Sequence, residues 1–198
     1  KNVDLIIIGF FLTAYDAGVY GVATRINMVV IFGLASLNIL YSPQIAKLYS
    51  ENKIKKLNES LHSANWIIFI FSLSLFLAIT ILGKSILEIF GEEYVSGYIV
   101  LVILSLRNLI EAFFGITGSV LNMSGNQKYF NFILYFMLLL YLIFSPLSIK
   151  IGKLEGLAVF ITLITFIKNL FQWRFIYFKL GIRSGLFSNI YFKLSKTL

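Results

Sequence analysis

Cysteine is absent from the 198 residues, and histidine occurs once, at His62. Disulfide frameworks, thiolate nucleophiles, Cys-based zinc or iron–sulfur centres and His-rich metal sites are therefore excluded. Proline occurs only at Pro43 and Pro146, near the ends of apolar runs, where a bend is permitted. Charge is scarce: 13% of residues are ionisable against about 25% in ordinary soluble domains. Hydrophobic residues make up 59% and mean hydropathy is +0.87, so a water-soluble globule is excluded. The chain also lacks a Gly-rich phosphate loop ending in Lys-Ser or Lys-Thr, an H-E-x-x-H pair and a G-x-S-x-G elbow. No catalytic residue, metal or cofactor is assigned, and an enzyme is not expected.

The charges present are unbalanced. A net charge of +8 and a pI near 9.6 would point to nucleic acid in a soluble protein. Here most cations flank apolar runs, where they set membrane orientation and meet anionic lipid, so membrane lipid replaces nucleic acid as the expected partner.

Uncharged stretches locate the spans, because an ionised side chain at the bilayer centre costs at least a few kcal/mol. Ile26 to Ile45, Ser63 to Gly83 and Tyr129 to Ile149 are free of charge. Tyr98 to Leu121 carries Arg107 and Glu111, and Gly156 to Phe178 carries Lys168 and Arg174. Each reaches the ~20 residues that span ~30 Å of hydrocarbon. The first run, Leu5 to Tyr15 between Asp4 and Asp16, covers only about 16 Å as a helix. The expected fold is all-α and polytopic, with about five full transmembrane helices and a truncated first one. The chain is expected to be the later part of a larger protein, with residues 1–178 forming a transmembrane lobe and 179–198 a basic tail. Connections are expected at Asp16–Val19, Lys47–Glu59, Lys84–Glu93, Gly125–Lys128 and Lys150–Glu155.

Ten loop and tail cations (Lys47, Lys53, Lys55, Lys56, Lys128, Arg174, Lys179, Arg183, Lys193, Lys196) fall on one side and three (Lys84, Lys150, Lys153) on the other. The positive-inside rule then places the C-terminus in the cytoplasm. Trp66 and Trp173 fall near predicted cytoplasmic helix ends, as interfacial indoles would. In the tail, Leu186, Phe187, Ile190, Tyr191 and Leu194 recur at helical spacing among cations, which suits an amphipathic helix on an anionic leaflet.

Polarity sorts the spans. The helices of 63–83 and 129–149 read as lipid-facing or packing helices. The second carries Arg25, Asn27, Asn38 and Gln44; the fourth Arg107, Asn108, Glu111, Thr117 and Asn122; the sixth Lys168, Asn169 and Gln172. Ionisable groups at membrane depth face a bundle interior or a wet cavity, so these three helices are the candidate lining. Arg107 and Glu111, four residues apart, share a face and form either a structural ion pair or a functional site. Arg25 has no local acid and needs a partner elsewhere, about 10 Å in from the outer end. Lys168 either serves function or extends toward the interface. Gly115, Gly118 and Ser119 permit close helix approach.

The segments VDLIIIGFFLTAYDAGVYGVATRI, SPQIAKLYSENK, ILEIFGEEYVSGYIVLVIL and GSVLNMSGNQKY, in this order and spacing, resemble the C-terminal half of the polysaccharide flippases. These are the Wzx-type O-antigen and capsule exporters of the MATE-like multidrug/oligosaccharidyl-lipid/polysaccharide superfamily. The resemblance implies one lobe of a two-lobe transporter that moves a polyprenyl-diphosphate-linked oligosaccharide across a bacterial or archaeal cytoplasmic membrane. It implies a missing N-terminal lobe and other polysaccharide assembly proteins as partners. By resemblance Arg25 is the best match to a diphosphate contact; Arg107 and Lys168 join it on depth and charge alone. A cation-coupled drug exporter of the same superfamily would instead use Asp4 or Glu111. A membrane-embedded polymerase or ligase and a purely structural subunit are the readings from other classes.

Overall fold

The computed structural model describes residues 3–186 and 188. Within them the order is α1 (Val3–Phe11), α2 (Ala14–Ser50), α3 (Ile54–Glu88), a 3₁₀ turn (Glu92–Gly97), α4 (Tyr98–Phe114), α5 (Thr117–Met123) and one long helical run, Gln127–Leu180. That run folds back on itself at Gly152 and Lys153, where the backbone leaves helical geometry. Its arms, 127–151 and 154–180, are here α6 and α7. Their antiparallel register shows in Tyr129 stacked on Phe175 at 4.0 Å between ring centroids and Tyr141 stacked near Phe160 at 6.3 Å.

Four helical stretches among the described residues are long and apolar enough to cross a membrane: Ala14–Ser50, Ile54–Glu88, Glu92–Phe114 and Gln127–Leu180. The last supplies two crossings because it doubles back. The chain is thus an all-α polytopic membrane protein, and the spans follow the long apolar runs.

The first connection differs from expectation. Asp16–Val19 is helical, because Thr13 and Asp16 make a capping box: the Asp16 amide donates to Thr13 Oγ1 and the Thr13 amide donates to Asp16 Oδ2. Two orphan donors are thereby satisfied and α2 starts at Ala14. Lys150–Glu155 shrinks to the two-residue corner, and Lys47–Glu59 to Glu51–Lys53, where Lys53 Nζ lies 2.6 Å from Glu51 Oε2. The hydrogen bond from Lys53 holds the exposed Glu51 carboxyl below its ordinary value.

The fourth span is broken. Gly115 adopts φ 74° and ψ −160°, a conformation costly for any residue with a Cβ, and divides α4 from α5. Sequence spacing had assigned Gly115 to helix packing.

After Gly181 the chain turns back into the protein rather than along its surface. Ile182, Ser184, Gly185, Leu186 and Ser188 are buried, and the Ser184 hydroxyl donates to the Phe114 carbonyl at 3.3 Å, just above the break. Leu186, expected on a leaflet-facing surface, therefore packs inside. Phe187 and residues 189–198 of the expected tail lie outside the described residues. Trp173, expected at an interface, is buried in protein, its indole N–H donating to Ser188 Oγ at 3.0 Å, whereas Trp66 is exposed.

The α6–α7 hairpin closes tightly. A Cβ on Gly156 would meet the Ser148 carbonyl oxygen well inside van der Waals distance. Gly156→Ala is expected to destabilise the protein by roughly 1–3 kcal/mol through displaced backbone; a lowered thermal unfolding midpoint of the purified protein checks it.

Candidate functional site

The break between α4 and α5 opens onto a cavity of about 350 Å³ walled by α2, α3, α4, α5, α6 and α7. Glu111 stands one turn before the break, and Lys168 of α7 places Nζ 2.8 Å from Glu111 Oε1. The expected intrahelical partner, Arg107, is not Glu111's ion pair. Spacing on one helix allowed Arg107, but packing of α7 against α4 brought an ammonium closer. Lys168 likewise does not extend to the interface, because it finds an acid at its own depth.

On α7, Asn169 next to Lys168 and Gln172 one turn further along face the start of α5. The Thr117 hydroxyl donates to Gln172 Oε1 at 2.9 Å and lies 3.3 Å from Asn169 Oδ1. Asn169 Nδ2 donates to the Thr165 carbonyl at 3.0 Å. On the far wall, the Ser119 hydroxyl donates to Asn38 Oδ1 at 2.9 Å, tying α5 to α2. Gln172 is 2% exposed, and its Nε2 has no partner among the described residues. Such an orphan donor costs about 1–3 kcal/mol unless something accepts from it.

Asn65 of α3 lies fully buried against Gly115, with neither amide atom partnered. The two helices read as lipid-facing or packing helices also contribute to the site: α3 brings Asn65 and Ile68, and α6 brings Phe130 and Leu134.

A second polar cluster joins α1, α2 and α6. The Tyr141 hydroxyl donates to Asp4 Oδ1 at 2.7 Å and the Tyr20 hydroxyl to Asp4 Oδ2 at 3.3 Å. Arg107 is half-buried on α4, one turn before Glu111. Nearby, Asn108 Nδ2 donates to Asn27 Oδ1 at 2.8 Å, locking α4 to α2.

Arg25 joins neither cluster. It is exposed, three turns into α2, on a face shared with Met28, Val29, Phe32, Ile39 and Leu40, all exposed. Because the helix begins at Ala14, Arg25 lies about 16 Å from its start, deeper than the 10 Å expected. No carboxylate among the described residues lies within ion-pair distance of it.

The amides and hydroxyl at the break were legible as polar lining, whereas Tyr20, Tyr141 and Asn65 were missed. Tyrosine and asparagine in apolar runs carry no signal of which partner they will reach.

A bundle of membrane-crossing helices with one helix interrupted beside a polar cavity defines a polytopic membrane protein of transporter build. The MatE family model matches residues 1–149, and the chain belongs to this family of membrane transporters of the MATE superfamily. No curated protein and no solved structure matches the chain. Asp4, Arg25, Arg107 and Glu111 lie within the matched region, while Lys168 and Gln172 lie beyond it.

The Lys168–Glu111 pair has a measurable signature. Each half is partly exposed to the cavity, so Glu111→Leu or Lys168→Met alone is expected to cost roughly 1–3 kcal/mol, below the range for a fully buried pair. The double variant should be more stable than either single one; thermal unfolding of all three in a double-mutant cycle reads the coupling.

Proposed function

We propose that this chain is one lobe of a transporter that flips a polyprenyl-diphosphate-linked oligosaccharide from the cytoplasmic to the outer leaflet. The supporting observation is Arg25, an exposed cation three turns deep on a largely apolar helix face. Lipid is a poor neighbour for that charge, whereas a hydrated cleft between this lobe and a second, N-terminal lobe is a good one. An arginine there stays protonated and offers a planar fork that binds phosphate oxygens in pairs.

Arg107, without an ion pair among the described residues, is the second diphosphate contact in this reading. Lys168 drops to a lesser role because Glu111 already neutralises it. The protein acts as a carrier rather than an enzyme, with access alternating as one lobe rocks against the other. The loops rich in Lys and the end of α7 lie at one end of the bundle, which the positive-inside rule assigns to the cytoplasmic face of a bacterial or archaeal inner membrane.

Arg25→Gln and Arg107→Gln in the full protein are each expected to abolish or cut export at least tenfold while membrane insertion and abundance persist. Export measured in a flippase-deficient strain checks this, and full export by both variants would sink the reading.

A second reading, a cation-coupled exporter of the same superfamily, draws on Asp4, a membrane-embedded carboxylate held by two tyrosine hydroxyls. It expects Asp4→Asn to remove the dependence of transport on a proton or sodium gradient, measured as uptake into proteoliposomes with and without the gradient.

A further inference from the structure

The cavity at the helix break has a chemistry distinct from that of a diphosphate site. Its two charges cancel, since Lys168 Nζ lies 2.8 Å from Glu111 Oε1. A diphosphate entering it would meet a carboxylate whose attraction for the ammonium it must first displace, with no surplus cation inside. A polyprenyl chain fits no better, because burial against hydrocarbon would leave the Gln172 amide donor permanently unpaired.

Beside the apolar Ile31, Ile68, Ile116 and Leu134, the walls carry neutral hydrogen-bonding groups. The Thr117 hydroxyl, which donates to Gln172 Oε1, fixes that carboxamide from one side and leaves its buried Nε2 without a partner among the described residues, and Asn122 and Phe130 also line the cavity. Amide and hydroxyl groups, which both donate and accept, set around one aromatic face match an uncharged ring bearing several hydroxyls. A volume of about 350 Å³ is at the small end of ligand cavities, consistent with a sugar residue rather than a whole oligosaccharide.

Resting on the transport reading above, we infer that this cavity is a carbohydrate subsite of the lobe: it takes a neutral sugar ring of the lipid-linked cargo, with Gln172 Nε2 donating to a ring hydroxyl. The diphosphate then stays with Arg25 and Arg107, outside the cavity. Sugar preference is thereby separated from headgroup affinity, because a site built to hydrogen-bond hydroxyls rejects cargo that lacks them.

The test uses the full protein in lipid nanodiscs with two probes: a polyprenyl diphosphate without sugar, and the same lipid carrying a short neutral oligosaccharide. Gln172→Met preserves bulk but removes the donor. It is expected to weaken binding of the sugar-bearing lipid about tenfold, the effect of one buried hydrogen bond of roughly 1.4 kcal/mol. The bare lipid should keep its affinity. Asn122→Leu, at a lining residue on α5, should show the same selective loss and guards against a folding defect in the first variant, with thermal unfolding recorded for both. Equal losses on both lipids, no loss on either, or a wild-type protein that gains nothing from the sugar would each overturn the carbohydrate subsite while leaving the transport reading intact. A wild-type protein that binds neither lipid would overturn both.

Discussion

In hydrocarbon there is no water to satisfy a backbone that leaves the helix, so every carbonyl and amide freed at an interruption must be paired inside the protein. The break at Gly115 obeys this rule and organises much of the molecule around it. The Gly115 amide reaches back to the Glu111 and Ala112 carbonyls, Thr117 donates its amide to the Gly115 carbonyl, and Ser184 returns from beyond α7 to bond the Phe114 carbonyl. The segment after Gly181 is held inward by this last contact, by the Arg183 amide donating to Asn58 Oδ1 at 2.8 Å, and by the bond from Trp173 to Ser188. Ile182 and Leu186 consequently spend their apolar area on protein packing.

The same poverty of solvent governs the charges. Three solutions occur side by side: Lys168 and Glu111 neutralise each other across α4 and α7, Asp4 is solvated by two tyrosine hydroxyls, and Arg25 stays exposed on the flank of α2. The first two are internal and hold helices together. The third is left for something outside the described bundle, which is why it supports a facing lobe and an anionic headgroup. A charge in a membrane protein is thus informative chiefly when the fold declines to pair it.

Much of the architecture was legible in the sequence. Uncharged runs of about 20 residues located the spans, because the cost of burying an ion applies residue by residue and needs no tertiary context. The amides of α2, α4, α5 and α7 were legible as lining for the same reason. The capping box at Thr13 was also written in the sequence, as Thr-Ala-Tyr-Asp, although Asp16 read first as the end of an apolar run. The identity of Glu111's partner was not legible. Arg107 was four residues away along one helix, and Lys168 was 57 residues away along the chain.

Local chemistry therefore determined that the chain is a polytopic helical membrane protein, roughly where its helices run, and which of them carry polar groups. Tertiary structure decided which polar groups meet. It broke the fourth span at Gly115, folded the stretch after α7 against the break, gave Glu111 to Lys168 and Asp4 to the tyrosines, and left Arg25 without an ion pair among the described residues. The division has a physical origin: desolvation is a property of each side chain, whereas hydrogen bonds and ion pairs are properties of distances that exist only once helices remote in sequence have packed.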